Sequence, residues 1–173
     1  MTDVTVPAQP GPFRYAAGKV ALVIIDMQRD FLLPVDHPVE AYAVRVTEVS
    51  GGGSLVFSGD TGPCEALVEL ARGEDGTGVD LLLVEAAFLA GPDLPSGLHL
   101  TGAQAAAAGE AAGVGAVVLT HVPPWHEPER VLAEARPHFS GDTSLAVTGA
   151  VRRIGPDGPG PAAPPTLRHD LPR

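Results

Sequence analysis

The chain has 173 residues, 45% of them hydrophobic and 18% charged, enough for one domain with a real core. Eleven basic and twenty-one acidic side chains give a net charge of −10 with no Lys/Arg run. Such a surface repels duplex nucleic acid or an acidic membrane on average, so a small ligand or a protein partner is the expected company. The single cysteine, Cys64, has no internal disulfide partner, which fits a reducing cytoplasm. The longest apolar run, Val20 to Ile25, is six residues and too short for a bilayer. The first residues carry Asp3, Pro7, Pro10 and Pro12 and lack the basic start and apolar core of a signal peptide. The expected location is the cytoplasm.

Residues 1 to 18 are rich in Pro and Gly and read as an irregular arm. Lys19 to Met27 is continuously apolar and β-branched up to Asp26, as in a strand buried on both faces, and Leu33-Pro34 closes the segment. Glu40 to Thr47 then alternates Tyr42, Val44 and Val46 on one face, and Gly51-Gly52-Gly53 turns the chain into Ser54 to Phe57, which predicts a hairpin. A helix is predicted from Pro63, with Ala66, Leu67, Leu70 and Ala71 as its apolar stripe. After the loop at 73–78, Val79 to Val84 reads as a second buried strand running into Glu85.

Thr101 with Gln104 three positions on predicts a capping box, and Gly113 ends the Ala-rich helix it opens. Val114 to Leu119 is a third buried strand, ending at Thr120-His121. Pro128 opens a last helix with Val131, Leu132 and Ala135 on its apolar side. From Gly155 on, Pro and Gly dominate and disorder is expected. The division that results is an arm and strand at 1–36, a domain at 37–150 and a tail at 151–173.

Strands alternating with helices argue for an α/β layered domain, in which the carboxyl ends of strands are the usual site positions. Asp60, Glu85 and His121 stand there, and His99 lies in the loop feeding the helix capped by Thr101. A carboxylate such as Asp60 can bridge two divalent cations, imidazole suits Zn²⁺, and Glu85 with His99 can form an acid/base pair in which one orients the other. Each also has an ordinary structural reading. Asp60 can be a helix N-cap or an Asx-turn before Pro63, His121 can be a hydrogen-bonded buried histidine, and Glu85 and His99 can be a structural carboxylate and a loop histidine.

Five ordered segments carry a resemblance: His37-Pro38-Val39-Glu40, Phe57-Ser58-Gly59-Asp60-Thr61-Gly62, Val84-Glu85-Ala86-Ala87-Phe88, Leu98-His99-Leu100-Thr101-Gly102 and Leu119-Thr120-His121-Val122-Pro123-Pro124-Trp125. In order and spacing they resemble the second half of metallo-β-lactamase-fold hydrolases related to ribonuclease Z and bacterial cyclic-nucleotide phosphodiesterases. The resemblance spans residues 37 to 139. It implies half of an αββα sandwich, a mixed sheet with helices packed on one face. It further implies zinc held by Asp60 and His121, proton donation to the leaving oxygen by Glu85 and His99, and a supporting place beside the site for His37. The implied reaction is hydrolysis of a small phosphodiester by water activated on the metal.

The family's other ligands, a His-x-His-x-Asp-His motif and one further histidine, have no counterpart among histidines 37, 99, 121, 126, 138 and 169. Leu32 and Pro34 stand where ligands would flank Asp36-His37. Asp60 and His121 alone make two protein ligands, whereas catalytic zinc keeps three plus water. The expectation is a metal-dependent hydrolase, phosphodiesterase-like by descent and impaired in activity. The alternative is a non-catalytic remnant or fusion product that serves as a binding module.

Lys19 to Phe31 resembles the opening strand of isochorismatase-like cysteine hydrolases, with Asp26 at the triad aspartate. The only lysine, Lys19, precedes that strand and the only cysteine lies far along the chain. Asp26 therefore reads as a strand-end carboxylate, and an amidase of this type fails for want of a nucleophile. Half a sandwich leaves a sheet face to be covered by the first strand, the arm or another chain, so a homo-oligomer is expected.

Overall fold

A computed structural model describes residues 41–48, 52–73 and 75–155, together with three short strands near the N-terminus. Those three are β1 (Asp3–Val6), β2 (Phe13–Ala16) and β3 (Leu33–Val35). β1 and β2 pair antiparallel, Asp3 opposite Ala16. The predicted strand at Lys19 to Met27, residues Asp26 and His37, and the tail beyond 155 lie outside the described residues.

The rest alternates strand and helix: β4 (Ala41–Thr47), β5 (Ser54–Phe57), α1 (Glu65–Arg72), β6 (Leu81–Glu85), α2 (Gly102–Ala112), β7 (Ala116–Thr120), α3 (Pro128–Ala135) and β8 (Asp142–Leu145). One six-stranded sheet runs in the order β3-β4-β5-β6-β7-β8. The first two pairings are antiparallel and the last three parallel. The sheet is mixed, as expected. Pro34, read as closing a segment, instead sits in the edge strand β3 opposite Tyr42. An edge tolerates it, because one side of that strand has no ladder partner for an N–H to serve.

Period-two alternation divides the apolar side chains between the two faces of the sheet. Val56, Leu82, Val84, Val117 and Leu119 join the main core with Leu67, Val68 and Ala71 of α1, Ala105, Ala106 and Ala112 of α2, and Val131, Leu132 and Ala135 of α3. All three helices thus bury their stripes on one face. Leu55, Leu81, Leu83, Ala116 and Val118 cluster on the other, with Ile154 packed against them. On that second face, read from the sequence as one that needs covering, Leu81, Ala116 and Val118 are buried.

The capping box forms as read: the Gln104 N–H donates to Thr101 Oγ1 at 3.2 Å, and the Thr101 N–H donates to Gln104 Oε1 at 2.9 Å. Gly113 ends α2. α1 differs from the reading. It starts at Glu65, with Cys64 as N-cap, so Pro63 precedes the helix rather than opening it. The strand β8 was not foreseen; its sequence, Asp-Thr-Ser-Leu, has the polar character an edge allows. At the opposite ends of the strands from the site, Asp80 accepts from the backbone N–H of Ser54 at 2.7 Å and from its hydroxyl at 2.9 Å, fixing the register of β5 against β6.

This packing sets an expectation for stability. Leu82→Ala empties a fully buried, helix-facing site and is expected to cost about 3 kcal/mol in denaturant unfolding. Leu94→Ala, at an exposed loop position, is expected to stay within about 0.5 kcal/mol of the parent. Equal losses at the two positions would contradict the assignment of the core.

Candidate metal centre

Three parallel strands deliver their carboxyl ends side by side, and each continues into a loop bearing a polar side chain. After β5 the chain turns through Ser58-Gly59-Asp60. Gly59 has φ of 59°, the left-handed region that L side chains disfavour. A Cβ there would also come within 2.6 Å of the Tyr42 carbonyl oxygen. Three residues on, a Cβ at Gly62 would meet the backbone of Gly97 at 2.7 Å. The two glycines let this loop pass close beneath its neighbours and present Asp60.

Glu85, the last residue of β6, is 1% exposed. A buried carboxylate is costly unless its oxygens are satisfied, and here they are. Oε1 accepts the Thr61 N–H at 2.9 Å and lies 2.6 Å from His99 Nδ1. Oε2 accepts the N–H groups of Ala87 at 3.1 Å and Leu100 at 3.2 Å. The Glu85 N–H in turn donates to the buried Ser58 hydroxyl at 3.0 Å. One side chain therefore ties together the loops that follow β5 and β6 and the loop that precedes α2.

The histidines complete the arrangement. The Phe88 N–H donates to the Leu100 carbonyl at 3.0 Å, which brings the loop of His99 alongside the end of β6. The His99 ring stands edge-on to Phe88 and to His121, with centroids 5.2 and 5.3 Å away. His121 follows β7 directly and has φ of 56°; it is the non-glycine residue with positive φ among the described residues. Its Nδ1 lies 2.9 Å from Asp60 Oδ1.

The helix-cap reading of Asp60 and the buried reading of His121 do not hold. Asp60 does not cap α1, whose N-cap is Cys64, and it faces His121 instead. His121 is not buried: its side chain is 44% exposed and that of Asp60 52%. Asp60, His99 and His121 each offer one ligand atom, and the three atoms lie within 4.8 Å of one another. Among the described residues this is the one group of three or more such donors. Carboxylate oxygen with two imidazole nitrogens is a donor set that divalent zinc and similar ions accept, so the residues fit a metal.

Sequence reasoning placed Asp60 and His121 on one ion and His99 beside Glu85; it did not foresee that His99 would reach the other two. It also missed the parts of Thr61, Ser58 and Leu100, which act through backbone groups or a buried hydroxyl. The run Ser-Gly-Asp-Thr-Gly was the available signal for the first two. Of the remaining described histidines, His126 stacks edge-on with the exposed Trp125 and His138 lies in a short 3-10 turn, both apart from the cluster. Cys64 is half-buried, with Sγ 3.7 Å from Thr61 Oγ1.

Comparison with known proteins agrees with this geometry. The crystal structure of the metallo-β-lactamase fold protein YhfI from Bacillus subtilis superposes with a TM-score of 0.58 at 28% identity, covering 72% of this chain and 46% of that one. The chain carries half of a metallo-β-lactamase fold.

By sequence it is 30% identical over 115 residues to that same protein, described as a probable metallo-hydrolase, covering 66% of this chain and 44% of the relative. It is 47% identical over 115 residues to an uncharacterized protein of Mycobacterium leprae, covering 66% and 38%. It is 39% identical over 122 residues to a ribonuclease Z of Salinispora arenicola, again covering 66% and 38%. The chain thus spans about two-fifths of the length of these relatives. No family model matches it. An isochorismatase-like start is not among these similarities. Among the described residues, no helix of this metallo-β-lactamase-fold chain is long and apolar enough to cross a membrane.

The centre predicts opposite effects at two neighbouring positions. Glu85→Leu removes the acceptor for three buried N–H groups and is expected to cost at least about 3 kcal/mol, at about 1–3 kcal/mol per unsatisfied group. His121→Gly removes a left-handed non-glycine residue whose backbone costs about 1–2 kcal/mol. The exposed pair lost with it is worth about 0–1 kcal/mol. Without added metal, the glycine variant should unfold no more easily than the parent in urea. A glycine variant as unstable as Glu85→Leu would contradict this account of His121.

Proposed function

We propose that the chain is a metal-dependent hydrolase acting on small phosphodiesters. What supports the reading above all is the convergence of Asp60, His99 and His121 at the tips of adjacent parallel strands, with a buried carboxylate fixing one of the imidazoles. The probable metallo-hydrolase and ribonuclease Z among the relatives point the same way. A divalent ion bound there, zinc by the chemistry of its donors, supplies a Lewis acid for the phosphoryl oxygens and lowers the pKa of water.

The protein's own part is placement. Asp60 and His121 hold the ion, and their half-exposed side chains leave the tip of the sheet open to a substrate. Glu85, sealed from solvent, fixes the ring of His99 through Nδ1 beside Asp60 and His121. With the net charge at −10, the attraction for a phosphodiester has to come from the bound cation and not from the surface at large.

A second reading, a metal-binding module without turnover, is favoured by one observation. Three donors converge among the described residues, where the resemblance implies a fuller, two-metal set. The experiment is hydrolysis of bis(p-nitrophenyl) phosphate by protein loaded with Zn²⁺ or Mn²⁺. Turnover is expected to disappear with a chelator and to fall at least about 100-fold in Asp60→Ala, the upper end of what perturbing a metal site costs. Bound metal with no turnover would favour the binding module instead, and turnover untouched by Asp60→Ala would remove this site from the reaction.

A further inference from the structure

We infer that Phe88 is the positioning residue of the Glu85–His99 pair: its ring sets the plane of the imidazole for delivery of a proton to the leaving oxygen. The inference rests on the metal-dependent hydrolysis proposed above and deepens it. Three features of the site carry it.

The first is what the carboxylate leaves unset. Glu85 Oε1 lies 2.6 Å from His99 Nδ1, which fixes one atom of the ring. A ring held at one atom can still tilt about that bond, and the χ2 torsion of histidine has broad wells. A general acid has to aim its proton at the acceptor within hydrogen-bond reach, so the tilt matters. A second contact has to define the plane.

The second is the ring that meets it. Phe88 stands at 87° to His99 with centroids 5.2 Å apart, the T-shaped arrangement that aromatic pairs favour. The backbone puts it there. The Phe88 N–H donates to the Leu100 carbonyl at 3.0 Å, and Phe88 pairs with Thr101 in a parallel bridge. One residue earlier, the Ala87 N–H donates to Glu85 Oε2 at 3.1 Å. A single short stretch thus registers the carboxylate, the phenyl ring and the loop of His99. His121, the other ring against His99, is half-exposed and bonded to Asp60.

The third is that the core does not call for an aromatic here. Leu89 packs against the main core, but Phe88, half-buried, belongs to neither apolar cluster of the described residues. Its ring contact is with the imidazole. An apolar ring beside the Glu85–His99 bond also lowers the local dielectric, where a hydrogen bond is stronger.

In the reaction, water forms a bond to phosphorus as the bond to the leaving oxygen breaks. The leaving oxygen takes the electron pair of that bond and the proton of the His99 ring. The attacking water loses one proton to solvent, from which the ring regains its own. Proton delivery counts most for a poor leaving group, because a good one departs as the anion.

The test compares diphenyl phosphate with bis(p-nitrophenyl) phosphate, the better leaving group, on the full chain loaded with Zn²⁺ or Mn²⁺. General acid catalysis contributes about 10²–10⁴-fold, so Phe88→Leu is expected to lower kcat on diphenyl phosphate at least about tenfold more than on the nitrophenyl ester. KM is expected to stay within about threefold, since the loss falls on the transition state. Phe88→Tyr, which keeps the ring, is expected to restore the parent's ratio of the two rates. Proton magnetic resonance gives a readout without turnover. The proton between Glu85 Oε1 and His99 Nδ1, assigned by its loss in His99→Ala, is expected to exchange with solvent at least about tenfold faster in Phe88→Leu than in the parent or Phe88→Tyr. Urea unfolding separates lost positioning from lost folding, and Phe88→Met serves if Phe88→Leu does not fold.

Equal loss on both substrates, or a proton as protected in Phe88→Leu as in the parent, overturns the inference and leaves the hydrolase reading standing. So does a parent that cleaves the nitrophenyl ester alone. No turnover of either substrate by the metal-loaded parent overturns both.

Discussion

A single buried carboxylate organises the working end of this molecule. Glu85 is sealed within the sheet, and a polar group in that position is tolerated because four partners surround it: the N–H groups of Thr61, Ala87 and Leu100 and the ring of His99. Those partners come from three different stretches of chain, so satisfying the carboxyl group and assembling the loops are the same event. The loop after β5 cannot present Asp60 without Thr61 docking on Glu85. The loop before α2 cannot present His99 without Leu100 doing likewise. The cost of burying a polar group is thereby converted into positional precision, which a site on mobile loops needs most.

The second constraint is backbone geometry at the strand tips. Parallel strands can place side chains at their carboxyl ends only where the chain leaves the ladder, and both exposed donors exploit a left-handed turn to do so. At Asp60 the turn is made by the preceding Gly59, where the conformation is cheap. At His121 the ligand-type residue itself adopts it, where the conformation is expensive. A strained histidine with a half-exposed side chain, hydrogen-bonded to an equally exposed aspartate, gains little for the stability of the fold. A glycine would serve the backbone better, so the fold alone does not call for a histidine here.

Much of this could be read from residues alone, and the limits have physical causes. β6 and β7 announced themselves because strands covered on both faces are continuously apolar, and the capping box of α2 because its two bonds require Thr101 and Gln104 three apart. β8 escaped notice, since an edge strand need not be apolar. The start of α1 was placed at Pro63 because proline suits a first turn; the structure holds Pro63 outside, since the Ser58–Thr61 loop must first reach Glu85. The individual site residues were legible as polar groups at strand ends. Their meeting was not: His99 is 14 residues from Glu85 and reaches it across a loop without periodicity, through bonds that mostly involve backbone N–H groups any residue could supply.

The position of the donors depends on contacts made within residues 42 to 135. β5, β6 and β7 are registered against one another by parallel pairing, with Leu55 opposite Leu81 and Leu82 opposite Val117. Their helix-facing side chains are buried by α1, α2 and α3 without help from the other face of the sheet. Rigidity at the strand tips follows from that core and from Glu85. The resemblance to longer hydrolases implies that more ligands come from elsewhere in a whole fold, and those would add to a scaffold that already stands.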